Sequence, residues 1–105
     1  MKYTRDDFKN VRRHYVTQGV HEKIPVEVVL FMIYLIDNMD CDERDYFQFF
    51  TLKSCEECVE IIHEQEVPEF TKKAKLVFGG TDFGEIKVYV IAEDKICTIL
   101  LNTEY

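Results

Sequence analysis

The hydrophobic pattern changes period along the chain. Across residues 26–36 Glu27 is the only polar position, so a helix there is apolar nearly all round and needs covering on more than one side. Pro25 suits a first helical turn, where its missing N–H costs nothing, and the helix is expected to span residues 25–39 before Asp37, Asn38, Asp40 and Asp42 end it in a polar loop. Beyond the loop the pattern turns β-like. Residues 46–53, 58–65, 70–78, 85–92 and 96–102 read as strands joined by short polar or Gly-containing links, and residues 13–18, with Tyr15, Val16 and Thr17, read as a first strand closed by Gly19. Thr4 followed by Asp7, with Phe8, Val11 and Tyr15 at helical spacing, adds a short N-terminal helix.

These elements predict an α+β fold, one main buried helix packed on a mostly antiparallel sheet of about five to six strands, in a single domain over residues 1–105. Consecutive strands with short links favour a meander. Alternation puts Val59, Ile61 and His63 on one face of their strand and Cys58, Glu60, Ile62 and Glu64 on the other. In the next strand Phe70, Ala74, Leu76 and Phe78 face in, and Thr71, Lys73 and Lys75 face out. Pairing these strands sets an acidic face beside a basic one, with Glu60 near Lys75, and such pairs contribute ~0.2–1 kcal/mol each. Glu93-Asp94-Lys95 reads as the polar turn of a C-terminal hairpin.

Charge narrows the partners. The net charge is −7, and it divides into six basic and three acidic residues over 1–23 against seven basic and seventeen acidic over 24–105. Such a balance argues against general nucleic-acid backbone binding, which needs clustered Lys and Arg. Lys2, Arg5, Lys9, Arg12 and Arg13 form a small basic N-terminal patch, read as a solvated surface. The charged first turn carries no signal-peptide pattern and the apolar helix is far shorter than the ~20 residues that span a bilayer, so a cytoplasmic protein is expected, with its four cysteines reduced and no disulfide framework.

Tyr15-Val16-Thr17-Gln18-Gly19-Val20 with Ile24-Pro25, the segment from His63 through Gln65-Glu66-Val67-Pro68-Glu69 to Phe70, and the ending Thr98-Ile99-Leu100-Leu101-Asn102-Thr103-Glu104-Tyr105 carry a resemblance. Over residues 13–105 the chain resembles the Gram-positive bacterial family termed domain of unknown function 960; residues 1–12 look like an extension, and the Cys55-Glu56-Glu57-Cys58 turn looks individual to this chain. The resemblance implies a small cytoplasmic bacterial protein and transfers no activity, cofactor or catalytic residue.

Chemistry-bearing residues are few. Cys55 and Cys58 could offer two thiolates to zinc, but two ligands do not close a site, and Cys41, Cys97 or His63 would have to complete it; an ordinary hairpin turn is the preferred reading, and no cofactor is expected. His63 stands among Glu60, Glu64, Glu66 and Glu69, which could raise its pKa and make it a proton-transfer group, although a hydrogen-bonded histidine at a strand end is the plainer reading. His63, Glu66 and Glu69 are therefore the candidate binding residues. The glycines of Gly79-Gly80-Thr81-Asp82-Phe83-Gly84 lack the Lys and the strand-to-helix setting of a nucleotide loop and read as a hairpin connection. Tyr46, Phe47, Phe49 and Phe50 read as core beneath the helix rather than a base-stacking platform.

With no catalytic signature, the expected function is a protein-interaction or regulatory module without enzymatic activity, its partner another protein or a second copy of the chain, with neither nucleic acid nor membrane. The helix flank at Phe31, Met32 and Leu35 is the expected partner surface, unless Phe8 and Val11 cover it. The alternatives are a metal- or ligand-binding protein using Cys55/Cys58 or the His63 segment and, at lower weight, an acidic DNA mimic whose field Lys72, Lys73 and Lys75 would largely neutralise.

Overall fold

The computed structural model describes residues 6–80 and 82–105, and its architecture is a six-stranded mixed sheet with two helices. Strand β1 (Arg13–Val16) leads through Thr17 into helix α1 (Gln18–Lys23), then helix α2 (Val26–Asp37), strands β2 (Phe47–Ser54), β3 (Cys58–Gln65), β4 (Phe70–Val77), β5 (Glu85–Glu93) and β6 (Ile96–Leu101), and a 3-10 turn at Asn102–Glu104. The spatial order is β1-β6-β5-β2-β3-β4.

This order corrects the meander. Strands β2, β3 and β4 follow one another as antiparallel neighbours, but β5 pairs with β2 rather than β4, and β1 runs parallel to β6. The glycine-containing segment after β4 is thus a crossover and not a hairpin link. It passes the end of the β2–β3 hairpin, where Phe78 N–H donates to Glu57 O at 3.1 Å and Gly84 N–H to Ser54 Oγ at 3.0 Å. Gly80 and Gly84 have φ of 85° and 70°, a region glycine reaches without side-chain strain; Thr81 lies outside the described residues. The β3–β4 register pairs Glu60 with Lys75, one of the registers that charge alternation allows, and the β5–β6 hairpin turns at Asp94 and Lys95.

Gly19 does not close a strand. Thr17 follows β1 and caps α1: its Oγ1 accepts from Val20 N–H at 3.3 Å, donates to Glu104 Oε1 at 2.7 Å, and so turns the chain into a helix that the strand-favouring residues before it had hidden. The N-terminal helix is also absent where it can be seen: residues 7–10 form turns, Tyr15 belongs to β1, and the proposed cap Thr4 lies outside the described residues.

Burial explains the apolar girth of α2. Val28, Val29, Met32, Leu35 and Ile36 share one hydrophobic cluster with Phe50 and Leu52 of β2, Val59 and Ile61 of β3, Val88 and Val90 of β5 and Ile99 of β6, and Phe8 joins it from the N-terminal segment. We call the side of the sheet that bears these residues the inner face. Met32 and Leu35 are therefore core residues rather than a partner surface, and Phe31 is half-buried, with its ring stacked on Tyr34 at 5.8 Å. The exposed stripe of α2 is instead Val26, Leu30 and Tyr34, at 63, 60 and 57% exposure, spaced four residues apart.

Arg44 fastens the N-terminal segment. Its Nε and Nη2 donate to both carboxylate oxygens of Asp6 at 2.8 Å, Nη1 donates to Ile36 O at 3.2 Å, and the guanidinium lies 5.9 Å from the Phe8 ring centre. Arg44→Met is expected to lower unfolding free energy by about 2 kcal/mol, because it leaves a half-buried carboxylate and a helix-end carbonyl without this partner. Urea denaturation of the two proteins checks this, with Arg44→Lys recovering only part of the loss because an ammonium cannot form the fork.

Candidate functional site

Two faces of β2 carry different chemistry. Gln48, Phe50 and Leu52 point inward and are buried, whereas Phe47, Phe49 and Thr51 point to the outer face and are half-buried. The aromatics expected beneath the helix are thus split: only Phe50 lies there, while Phe47 and Phe49 join Tyr89 and Tyr105 in an outer-face aromatic cluster. Ring centres are 4.6 Å apart for Phe47 and Phe49, 4.9 Å for Phe47 and Tyr89, 5.4 Å for Phe49 and Tyr89, and 5.5 Å for Tyr89 and Tyr105. Alternation could not reveal this, because both faces of residues 47–52 contain phenylalanine.

The cluster opens into a groove of about 480 Å³. Cross-strand register builds it: Tyr89 pairs with Phe49, Phe49 with Glu64, and Glu64 with Thr71, a single row over β5, β2, β3 and β4. Thr51 and Lys87, a facing pair two residues along, line the same groove, and Glu66 and Glu69 stand at its rim. Two of the candidate binding residues, Glu66 and Glu69, are brought together there.

His63 is not with them. It lies on the inner face, fully buried, stacked on Phe50 at 4.3 Å and edge-on to Phe70 at 5.3 Å. Burial, with Lys72 adding a smaller push, lowers its pKa to about 4 rather than raising it. The carboxylates adjacent in sequence do not set its charge state; alternation and the turn put them elsewhere.

A buried amide network supports the groove from behind. Gln48 Nε2 donates to Asp45 O at 2.8 Å and to Gln65 Oε1 at 2.7 Å, which leaves Gln48 Oε1 to accept from His63 Nε2 at 2.7 Å. Those directions assign the imidazole proton to Nε2 and leave buried Nδ1 as an acceptor without a partner among the described residues. Gln65 Oε1 also accepts from Asp45 N–H at 2.7 Å, while its Nε2 donates to Glu43 O at 3.0 Å and Pro68 O at 2.8 Å. One side chain thereby ties the loop before β2 to the turn that carries Glu66 and Glu69.

Cys55 and Cys58 depart from expectation, being joined in a disulfide at the β2–β3 turn. Their sulfurs lie within 4.8 Å of each other and of a Glu60 carboxylate oxygen, the one metal-ligand grouping among the described residues; Cys41, Cys97 and His63 are not part of it. In the disulfide form neither sulfur is a thiolate, the species a metal requires. Cys41 and Cys97 are free, and burial pushes the Cys97 thiol up to about 12, which makes it inert at neutral pH.

Comparison with known proteins adds the family and the fold. The family model described as "Staphylococcal protein of unknown function (DUF960)" matches residues 13–104. The structure is similar to the crystal structure of a protein of unknown function from Enterococcus faecalis, with a TM-score of 0.79 and 20% identity over 90% of this chain and 91% of that one. No curated protein matches the sequence. No helix among the described residues is long and apolar enough to cross a membrane.

Proposed function

This chain belongs to the DUF960 family, and from that premise we propose that it is a protein-interaction module without catalytic activity, working in the cytoplasm and docking its partner on the outer face of the sheet. The observation that carries this reading is the half-exposed aromatic cluster of Phe47, Phe49 and Tyr89, which opens into a groove while the helices contribute to the core on the inner face. Aromatic residues bury large area at little entropic cost and are enriched at the centres of interfaces. What supports the non-catalytic part is that His63, the histidine nearest in sequence to the groove, is buried behind it with its ring neutral at physiological pH.

Placing a photo-crosslinking residue in the groove tests the reading inside cells. With p-benzoylphenylalanine at Thr71, a discrete protein adduct is expected, and the same residue at exposed Val77, at the far end of β4, should give none. Equal adducts from both positions, or none from Thr71, would remove the groove as the docking surface.

A further inference from the structure

The groove has a charge as well as a shape. Three carboxylates, Glu64, Glu66 and Glu69, line one end of it, all exposed, and none makes an ion pair with a described residue. Glu64 is the direct cross-strand neighbour of Phe49, which is in turn the neighbour of Tyr89, so a carboxylate and two aromatic rings lie in one row across three strands. The rings of Phe49 and Tyr89 meet edge to face, 5.4 Å apart at 80°, an arrangement that presents differently oriented π surfaces to the same space. Glu66 and Glu69 are held on a turn whose Pro68 carbonyl is bound by buried Gln65, so the rim is preorganised before a ligand arrives.

Resting on the proposed docking surface, we infer that this groove receives an arginine side chain of the partner protein, its guanidinium laid against Tyr89 and Phe49 and hydrogen-bonded by Glu64, Glu66 and Glu69. Each part of the groove selects for that group. Aromatic faces attract cations through their quadrupole, and a planar guanidinium can stack on a ring while its N–H donors reach carboxylates at the edge. Among the residues that line the groove, an anionic or phosphorylated ligand would meet three carboxylates and one lysine, Lys87, which lies two residues along β5 from Tyr89, while Lys73 stands outside the lining, two residues along β4 from Thr71. An ammonium gains the charge attraction but not the planar contact, so lysine is the poorer occupant.

The experiment uses short blocked peptides, Gly-Arg-Gly, Gly-Lys-Gly and the neutral isostere Gly-citrulline-Gly, titrated into isotope-labelled protein and followed by amide chemical shifts. The arginine peptide is expected to move the amides of Phe49, Glu64, Glu66, Glu69 and Tyr89 saturably, with the citrulline peptide about tenfold weaker and the lysine peptide between them. Glu64→Gln, an exposed and isosteric change, and Tyr89→Leu should each weaken the arginine peptide about tenfold while leaving the remaining spectrum folded. If citrulline binds the same groove as tightly as arginine, the cation inference is overturned and the groove stands as a peptide site. If lysine binds as tightly as arginine, the stacking of a planar group is overturned. If no peptide moves the groove residues at millimolar concentration, the arginine assignment and the docking surface fall together.

Discussion

Gln65→Leu is expected to lower the unfolding free energy by about 3–5 kcal/mol, a large fraction of the stability of a domain this size. The side chain is buried and makes four hydrogen bonds, so an isosteric apolar replacement strands Asp45 N–H, one Gln48 Nε2 hydrogen and the carbonyls of Glu43 and Pro68. An unsatisfied buried group costs about 1–3 kcal/mol, and partial relaxation toward water keeps four of them from adding in full. Urea unfolding measures the loss, and a change below about 1 kcal/mol would mean that the loop and turn remain solvated without Gln65. The same variant should raise hydrogen exchange in residues 43–45 and 66–69 before the rest of the sheet, because those are the two segments that Gln65 joins.

Acid is expected to weaken the fold through His63 well above the pH at which carboxylates protonate in bulk. The folded pKa of about 4 lies below the ordinary value of 6.5, so the folded state binds this proton less readily than the unfolded chain. Stability is therefore fully present above pH 6.5 and falls as pH drops from 6.5 toward 4, at about 1.4 kcal/mol per pH unit, for a total near 3 kcal/mol. His63→Phe keeps the stack on Phe50 and has nothing to titrate; it pays a pH-independent cost for leaving Gln48 Oε1 without its donor. Subtracting its pH profile from that of the unmodified protein isolates the histidine from the carboxylates. Parallel profiles between pH 7 and 4.5 would show that the buried ring does not drive the loss.

The strand-forming half of the chain was legible because local signals agreed with the global fold. Residues 58–65 alternate cleanly, with Val59, Ile61 and His63 on one side, and the structure places all three in the interior. The acidic and basic outer faces of β3 and β4 set the Glu60–Lys75 register, and the Asp94-Lys95 turn marked the last hairpin. Alternation failed at residues 47–52, where phenylalanine occurs on both faces, and so the groove floor was read as core. It failed again at Thr17, where one cap oxygen reversed the preference of the strand residues before it.

Of the candidate site, Glu66 and Glu69 were visible as an unpaired acidic stretch, but what they face was not. Tyr89 lies on a strand 20 or more residues away in sequence and reaches them only because β5 inserts beside β2. The helix stripe shows the same limit. Eleven residues with a single polar member said that α2 must be covered on several sides, yet not which residues stay outside, because an all-apolar helix carries no moment to orient it.

What the sequence determined alone was the family and the strands of the acidic half, and those strands rest on interactions between residues near in the chain. The sheet order, the inward turn of His63, the amide network of Gln48 and Gln65, and the groove between Tyr89 and Glu64 were decided by tertiary structure. Each depends on which distant strand becomes a neighbour, and that choice is made by burial and hydrogen-bond satisfaction over the whole core rather than by any local pattern.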